Sequence, residues 1–206
     1  MTSVLFDFNG TLSDDEWVLC DILRELFAEA GRPMSEDDYY GLLGYSDPEI
    51  VELWLGRPDP EIVQRKVDEY RRRVSDGSTI DQETRLAVRL AAEHGPVAVV
   101  SGSARDEIEP VLDAAGVLDV VSVVVPREDV ANGKPAPDGY LRALELLGVD
   151  SGAAIEDSPP GIVSAKAAGL RCVGLTRYFP SDRLPGADLY ASAVDRELIR
   201  RLVSSA

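Results

Sequence analysis

Val4-Leu5-Phe6-Asp7-Phe8-Asn9-Gly10-Thr11-Leu12 is the stretch that decides the fold. An apolar run too short for a helix ends in a carboxylate and then a glycine. That is the pattern of a buried strand delivering Asp7 into a turn where backbone can approach a ligand closely. Open parallel α/β sheets place their chemistry at the carboxyl ends of their strands, which makes Asp7 a candidate catalytic residue. Asn9 stands two positions later, and its amide cannot move a proton.

Downstream of this stretch, short β-rich runs alternate with helical ones. Val97-Ala98-Val99-Val100 predicts a strand, and a helix over 104–115 stops at Gly116. A second run covers 120–125. A helix over 138–147 closes at Gly148, Ala153-Ala154-Ile155 predicts a third strand, and a helix over 160–168 stops at Gly169 before Cys172-Val173-Gly174-Leu175. Strands separated by helices of this length predict an α/β fold with a Rossmann-like, doubly wound parallel sheet.

Residues 15–78 read differently. Apolar side chains recur at helical spacing from Trp17 to Ala30 (Val18, Ile22, Leu26), and Gly31 ends the pattern. Further helices are predicted over 48–55 and 61–74, separated by Gly56-Arg57-Pro58-Asp59-Pro60, with no strand signal. The expected organisation is a core of residues 1–14 and 79–206 carrying an inserted helical cap, 15–78.

A chain of 206 residues has length for one large domain or a domain with an insertion. Its formal net charge of −16 would repel a nucleic-acid backbone, so no nucleic-acid partner is expected. Cys20 and Cys172 have neither metal-ligand spacing nor a disulfide framework and read as reduced core residues. No apolar run approaches the ~20 residues of a membrane span, and the chain enters a strand without a signal-peptide pattern. The expectation is a cytoplasmic protein, monomer or weak dimer, with no membrane partner.

Four sites lie at or just after predicted strand ends: Asp7 to Thr11, Ser101-Gly102-Ser103, Lys134 in Asn132-Gly133-Lys134-Pro135-Ala136-Pro137, and Glu156-Asp157-Ser158. Ser101 to Ser103 precede a helix, where hydroxyls and backbone N–H groups make an anion site. The carboxylates Glu156 and Asp157 suit a hard cation such as Mg²⁺. A carboxylate nucleophile, hydroxyls, a lysine and a metal site on one sheet edge describe phosphoryl transfer. Taken singly, Ser101 also reads as a cap hydroxyl, Lys134 as a solvated loop lysine and Glu156-Asp157 as a helix-start charge pair.

These residues, in this order, resemble the motifs of the haloacid dehalogenase (HAD) superfamily along nearly the whole chain. Asp7-Phe8-Asn9-Gly10-Thr11 is similar to motif I, Ser101 to motif II, Lys134 in Gly-Lys-Pro-Ala-Pro to motif III, and Glu156-Asp157-Ser158-Pro159-Pro160-Gly161 to motif IV. The insertion resembles the helical cap of the group that contains β-phosphoglucomutase and phosphoglycolate phosphatase. The resemblance implies Mg²⁺-dependent hydrolysis of a small phosphorylated metabolite through an aspartyl phosphate on Asp7. It implies Mg²⁺ held by Asp7, Asp157 and the Asn9 backbone carbonyl, with Glu156 binding directly or through water. Gly10, Thr11, Ser101, Gly102, Ser103 and Lys134 would meet the phosphoryl group, and Tyr45 and Ser46 of the cap loop the substrate.

Asn9 departs from the family, which uses an Asp there to protonate the leaving group and then activate water. Three readings stay open: an activated substrate such as an acyl phosphate or anhydride, a slow phosphomonoesterase in which a cap residue or water stands in, or Asn9 as an engineered trap or the mark of a catalytically impaired protein that binds and barely turns over. Mutase chemistry is disfavoured, because Leu19 stands where mutase-like relatives carry a cap histidine, and the single histidine, His94, reads as a helix-end residue. Metal-free dehalogenation would leave Glu156 and Asp157 without evident use. Asp14-Asp15-Glu16 read as a solvated helix start, Arg71-Arg72-Arg73 as a solvated helix face, and Tyr39, Tyr40 and Trp54 as cap core.

Overall fold

The computed structural model describes residues 2–204. Its centre is β1, Val4–Phe6, buried on both faces, which is why the strand is uninterrupted Val-Leu-Phe instead of alternating. Four helices follow: α1 (Glu16–Glu29), α2 (Glu36–Tyr40), α3 (Asp47–Leu55) and α4 (Pro60–Val74). The chain then builds α5 (Gln82–His94), β2 (Val97–Val100), α6 (Arg105–Ala114), β3 (Val123–Val125), α7 (Asp138–Leu147), β4 (Ala153–Glu156), α8 (Pro159–Ala167), β5 (Arg171–Leu175), β6 (Leu189–Ala191) and α9 (Arg196–Ser204).

The strands form a parallel six-stranded sheet in the order β3-β2-β1-β4-β5-β6. Val4 pairs with Val97 on one side and Ala153 on the other, so Asp7, Ser101 and Asp157 leave three adjacent strands at one edge. The order reverses at β1, the place where such sheets bind ligands. The 120–125 run is shorter as a strand than expected, because Leu118–Val120 closes a 3₁₀ turn first. β6 and α9 add an edge strand and a charged amphipathic helix that the apolar runs alone do not reveal. Cys20 and Cys172 are both buried free thiols. No helix among the described residues is long and apolar enough to cross a membrane.

The four helices between β1 and α5 contain no strand, and their apolar faces, including Leu23, Phe27, Tyr39 and Tyr70, are buried. They lie directly over the edge where the strands end. Gly44 has φ +92, and a Cβ there would sit 2.5 Å from Ser158 Oγ at the start of α8, so this close approach requires glycine. Tyr40 stacks on Tyr178 at 5.9 Å. Beneath the insertion lies a cavity of about 50 Å³. Sites that hold a whole small-molecule ligand measure roughly 300–1,000 Å³, so the space left between the insertion and the sheet edge is small by comparison.

Candidate active site

Asp7 continues the sheet past β1, its N–H donating to Ile155 O at 3.0 Å. This backbone bond points its carboxylate out of the sheet edge. Lys134 comes from the loop before α7 and donates to Asp7 Oδ1 at 2.5 Å, with Glu156 Oε1 2.6 Å from the same ammonium. Burial opposes that charge, but the Asp7 and Glu156 carboxylates outweigh it and hold the Lys134 pKa above its usual range. Glu156 is fully enclosed and also accepts from the Tyr140 hydroxyl at 2.6 Å. Burial, partly offset by Lys134, pushes its carboxyl up to about 7.

Asp157 has no such partner. Its Oδ2 is buried without a hydrogen bond, and burial followed by the Asp7 charge holds its pKa well above the carboxylate range. Asp7, Glu156 and Asp157 each present an oxygen, all within 4.8 Å of one another. An orphaned buried oxygen among clustered carboxylates is costly unless a cation completes it, so this donor set fits a hard divalent ion. Gly10 serves the same arrangement: φ is +72, and a Cβ there would lie 2.1 Å from Asp157 Oδ2.

Ser101 Oγ accepts from the Ser103 N–H at 3.0 Å, and Ser103 Oγ donates to Asn9 Oδ1 at 2.7 Å. The other end of the Asn9 amide donates to Asp15 Oδ2 at 3.0 Å. Asp15 also accepts from the Gly10 N–H at 3.3 Å and from the Tyr70 hydroxyl. Asp15 and Glu16 therefore correct the reading of 14–16 as a solvated helix start; only Asp14 of the three is exposed. Asp15 occupies the N-cap position of α1, but its side chain makes no cap bond. It turns inward because Asn9, Gly10 and Tyr70 supply donors that water and the helix end would otherwise supply. Burial pushes its pKa up to about 6 against those hydrogen bonds. Glu16 accepts from the Tyr39 hydroxyl, and burial, then the charge of Asp15, pushes it to about 8.

Asp7, Asn9, Tyr45, Ser101, Lys134 and Asp157 meet around this cavity, with Gly102 and Ser103 beside them. Gly10 and Thr11 form the turn outside its wall, and the Thr11 hydroxyl is buried without a partner. Ser46 is also outside the wall, buried as the N-cap of α3 and bonded to Glu49. Tyr39 is buried, whereas Tyr40 and Trp54 are partly exposed. Three wall residues, Glu16, Tyr39 and Asp47, carry no sequence signal for the site. They reach it only because the helical insertion folds over the sheet edge.

Behind Asp47, Lys66 of α4 ties that insertion to the core. It is 1% exposed and lies 2.8 Å from Asp47 Oδ2 and 2.7 Å from Glu107 Oε1 of α6. Removing one member of such a buried group leaves charge without a counterion, at a cost of about 3–5 kcal/mol. Lys66→Met is therefore expected to lower unfolding stability by about that amount, and Lys66→Met with Glu107→Met by much less. Urea unfolding checks this; a single variant as stable as wild type would show that the triad does not hold the two parts together.

Carboxylates from adjacent parallel strands, a buried lysine between them and a helical roof define an α/β enzyme with a capped hydrolytic site. The chain belongs to the haloacid dehalogenase-like hydrolases, whose family model matches residues 4–175. It is 31% identical over 204 residues to validoxylamine A 7'-phosphate phosphatase of Streptomyces hygroscopicus subsp. limoneus, covering 90% of both chains. It is 32% identical over 212 residues to protein CbbY of Rhodobacter capsulatus, covering 93% of this chain and 91% of the relative. A mutant form of CbbY from Rhodobacter sphaeroides, crystallised with xylulose-(1,5)bisphosphate, superposes with a TM-score of 0.84 at 28% identity over 96% of each chain.

Proposed function

We propose that this hydrolase is a Mg²⁺-dependent phosphatase of a small phosphorylated metabolite that works through an aspartyl phosphate on Asp7. The observation that carries the reading is the convergence of Asp7, Lys134 and the unpartnered Asp157 oxygen on one cavity. Relatives named as phosphatases, and one bound to a sugar bisphosphate, support the substrate class. Asp7, Asp157 and the Asn9 backbone carbonyl, with Glu156 directly or through water, would hold Mg²⁺, which when bound supplies Lewis-acid stabilisation of phosphoryl oxygens.

The chain's own residues account for the remaining steps. The Asp7 carboxylate attacks phosphorus as the ester P–O bond breaks. Ser101, the N–H groups after it and Lys134 neutralise the phosphoryl oxygens as charge moves. Asn9 cannot give the leaving oxygen a proton, and both ends of its amide are already engaged. Glu16 stands in. It lines the cavity from the cap side, and a carboxyl raised to about 8 is protonated at neutral pH. Water then cleaves the acyl phosphate, Glu16 takes back a proton, and phosphate leaves.

Phosphate release with and without Mg²⁺, across phosphomonoesters and acyl phosphates, tests the reading. Glu16→Gln is expected to slow phosphomonoesters by about 10²–10⁴-fold and acyl phosphates much less, because their leaving groups need little protonation. Equal losses on both would remove Glu16 from that role. Wild-type activity on monoesters should fall as pH rises through about 8, where Glu16 loses its proton. Binding of phosphate without turnover of any substrate would instead favour the catalytically impaired binder, a reading that the fully engaged Asn9 amide keeps alive.

A further inference from the structure

The two ends of the cavity differ in charge. Lys134 at the sheet end is the only lysine or arginine among the described residues lining it. At the cap end Asp47, from the first turn of α3, faces the cavity, and the lysine behind it is unavailable. Lys66 is buried between Asp47 and Glu107, and that group carries two carboxylates for one ammonium. In the first turn of α3, Glu49 takes the Ser46 N–H at 2.9 Å and the Ser46 hydroxyl.

We propose that the site selects phosphate monoesters whose far end carries hydrogen-bond donors, hydroxyls or an ammonium, and rejects a second anionic group there, with Asp47 as the discriminating residue. The proposal rests on the phosphoryl-transfer reading of the same cavity. A second phosphate would lose water and meet Asp47, whose one counterion, Lys66, is buried behind it and shared with Glu107. Hydroxyl or ammonium hydrogens meet lone pairs that Asp47 still has to offer, since Lys66 contacts its Oδ2.

The test compares glucose 6-phosphate, glucosamine 6-phosphate and glucose 1,6-bisphosphate by phosphate release and by calorimetric binding, all with Mg²⁺. Either monophosphate should exceed the bisphosphate by about 100-fold or more, as expected for like charges brought together in a partly desolvated site. An advantage of glucosamine over glucose identifies an ammonium as the donor, and equal values identify hydroxyls. Asp47→Asn keeps the side-chain shape and should cut the monophosphate-to-bisphosphate ratio at least about tenfold, since one of the opposing charges is gone. A wild-type ratio near unity overturns the proposal, as does an unchanged ratio in Asp47→Asn or no binding of any of the three. If no phosphate is released from any compound but the calorimetric preference persists, the phosphatase reading fails and the charge rejection stands. If Asp47→Asn does not fold, the wild-type ratio decides.

Discussion

Asp7→Asn is expected to lower phosphate release by at least about 10⁴-fold, because in the proposed covalent mechanism Asp7 is the nucleophile and its loss removes the whole reaction path. The amide keeps the size and backbone bonding of Asp7, and Lys134 still has Glu156 at 2.6 Å, so the fold should hold. Removing one of three crowded carboxylates also relieves repulsion, since Asp7 is a cause of the raised pKa values at both Glu156 and Asp157. The variant should therefore match or exceed wild type in metal-free stability while losing turnover. Acid-quenched phosphoenzyme, trapped from wild type with labelled substrate, should be absent from it. A variant retaining turnover within tenfold of wild type would move the nucleophile away from Asp7.

Lys134→Met is expected to damage both stability and activity. The methionine has similar length and no charge, so Asp7, Glu156 and Asp157 would be left in a buried cluster without a cation. Loss of one partner from such a group costs about 3–5 kcal/mol, and loss of one electrostatic stabiliser of the transferring group about 10²–10³-fold in turnover. The two effects respond differently to metal. Mg²⁺ should restore part of the stability, because it neutralises the same carboxylates, but not the turnover. Urea unfolding with and without Mg²⁺, alongside phosphate release, separates them. Unfolding indifferent to both the substitution and Mg²⁺ would show that these three carboxylates do not share the burden of charge.

Much of the candidate site is legible in the sequence, and the reason is local. Asp7, Ser101 and Asp157 each follow an apolar run, and a parallel sheet brings the ends of adjacent strands together whatever the rest of the chain does. Lys134 is legible as one ammonium in a proline-braced loop, although its bonds to Asp7 and Glu156 are not. Elements stopped by glycine read well: α7 spans Asp138–Leu147 and ends at Gly148, as its pattern predicts. β6 escapes because a three-residue edge strand, half exposed, has no distinctive period. α9 escapes because its apolar stripe of Leu198, Ile199 and Leu202 spans only nine residues, with charged residues between.

Asp15 and Glu16 show where a sequence reading of charge stops. Two acidic residues at a helix start are normally solvated, and nothing local distinguishes these from Asp14. Their burial depends on Tyr70 and Tyr39, which come from other helices of the insertion and bring hydroxyl donors to both carboxyls.

By itself, then, the sequence determined a parallel α/β core, a helical insertion and a carboxylate at the end of the first strand. Those follow from apolar periodicity and glycine stops, which act over a few residues. It also exposed Asn9 as a group without a proton to give. Only the tertiary structure decided what surrounds that amide: Ser103 on one side, Asp15 on the other, and Glu16 and Asp47 on the wall of the cavity. Those contacts join residues far apart along the chain by packing one element over another, and the burial that results raises the pKa of Asp15 and of Glu16.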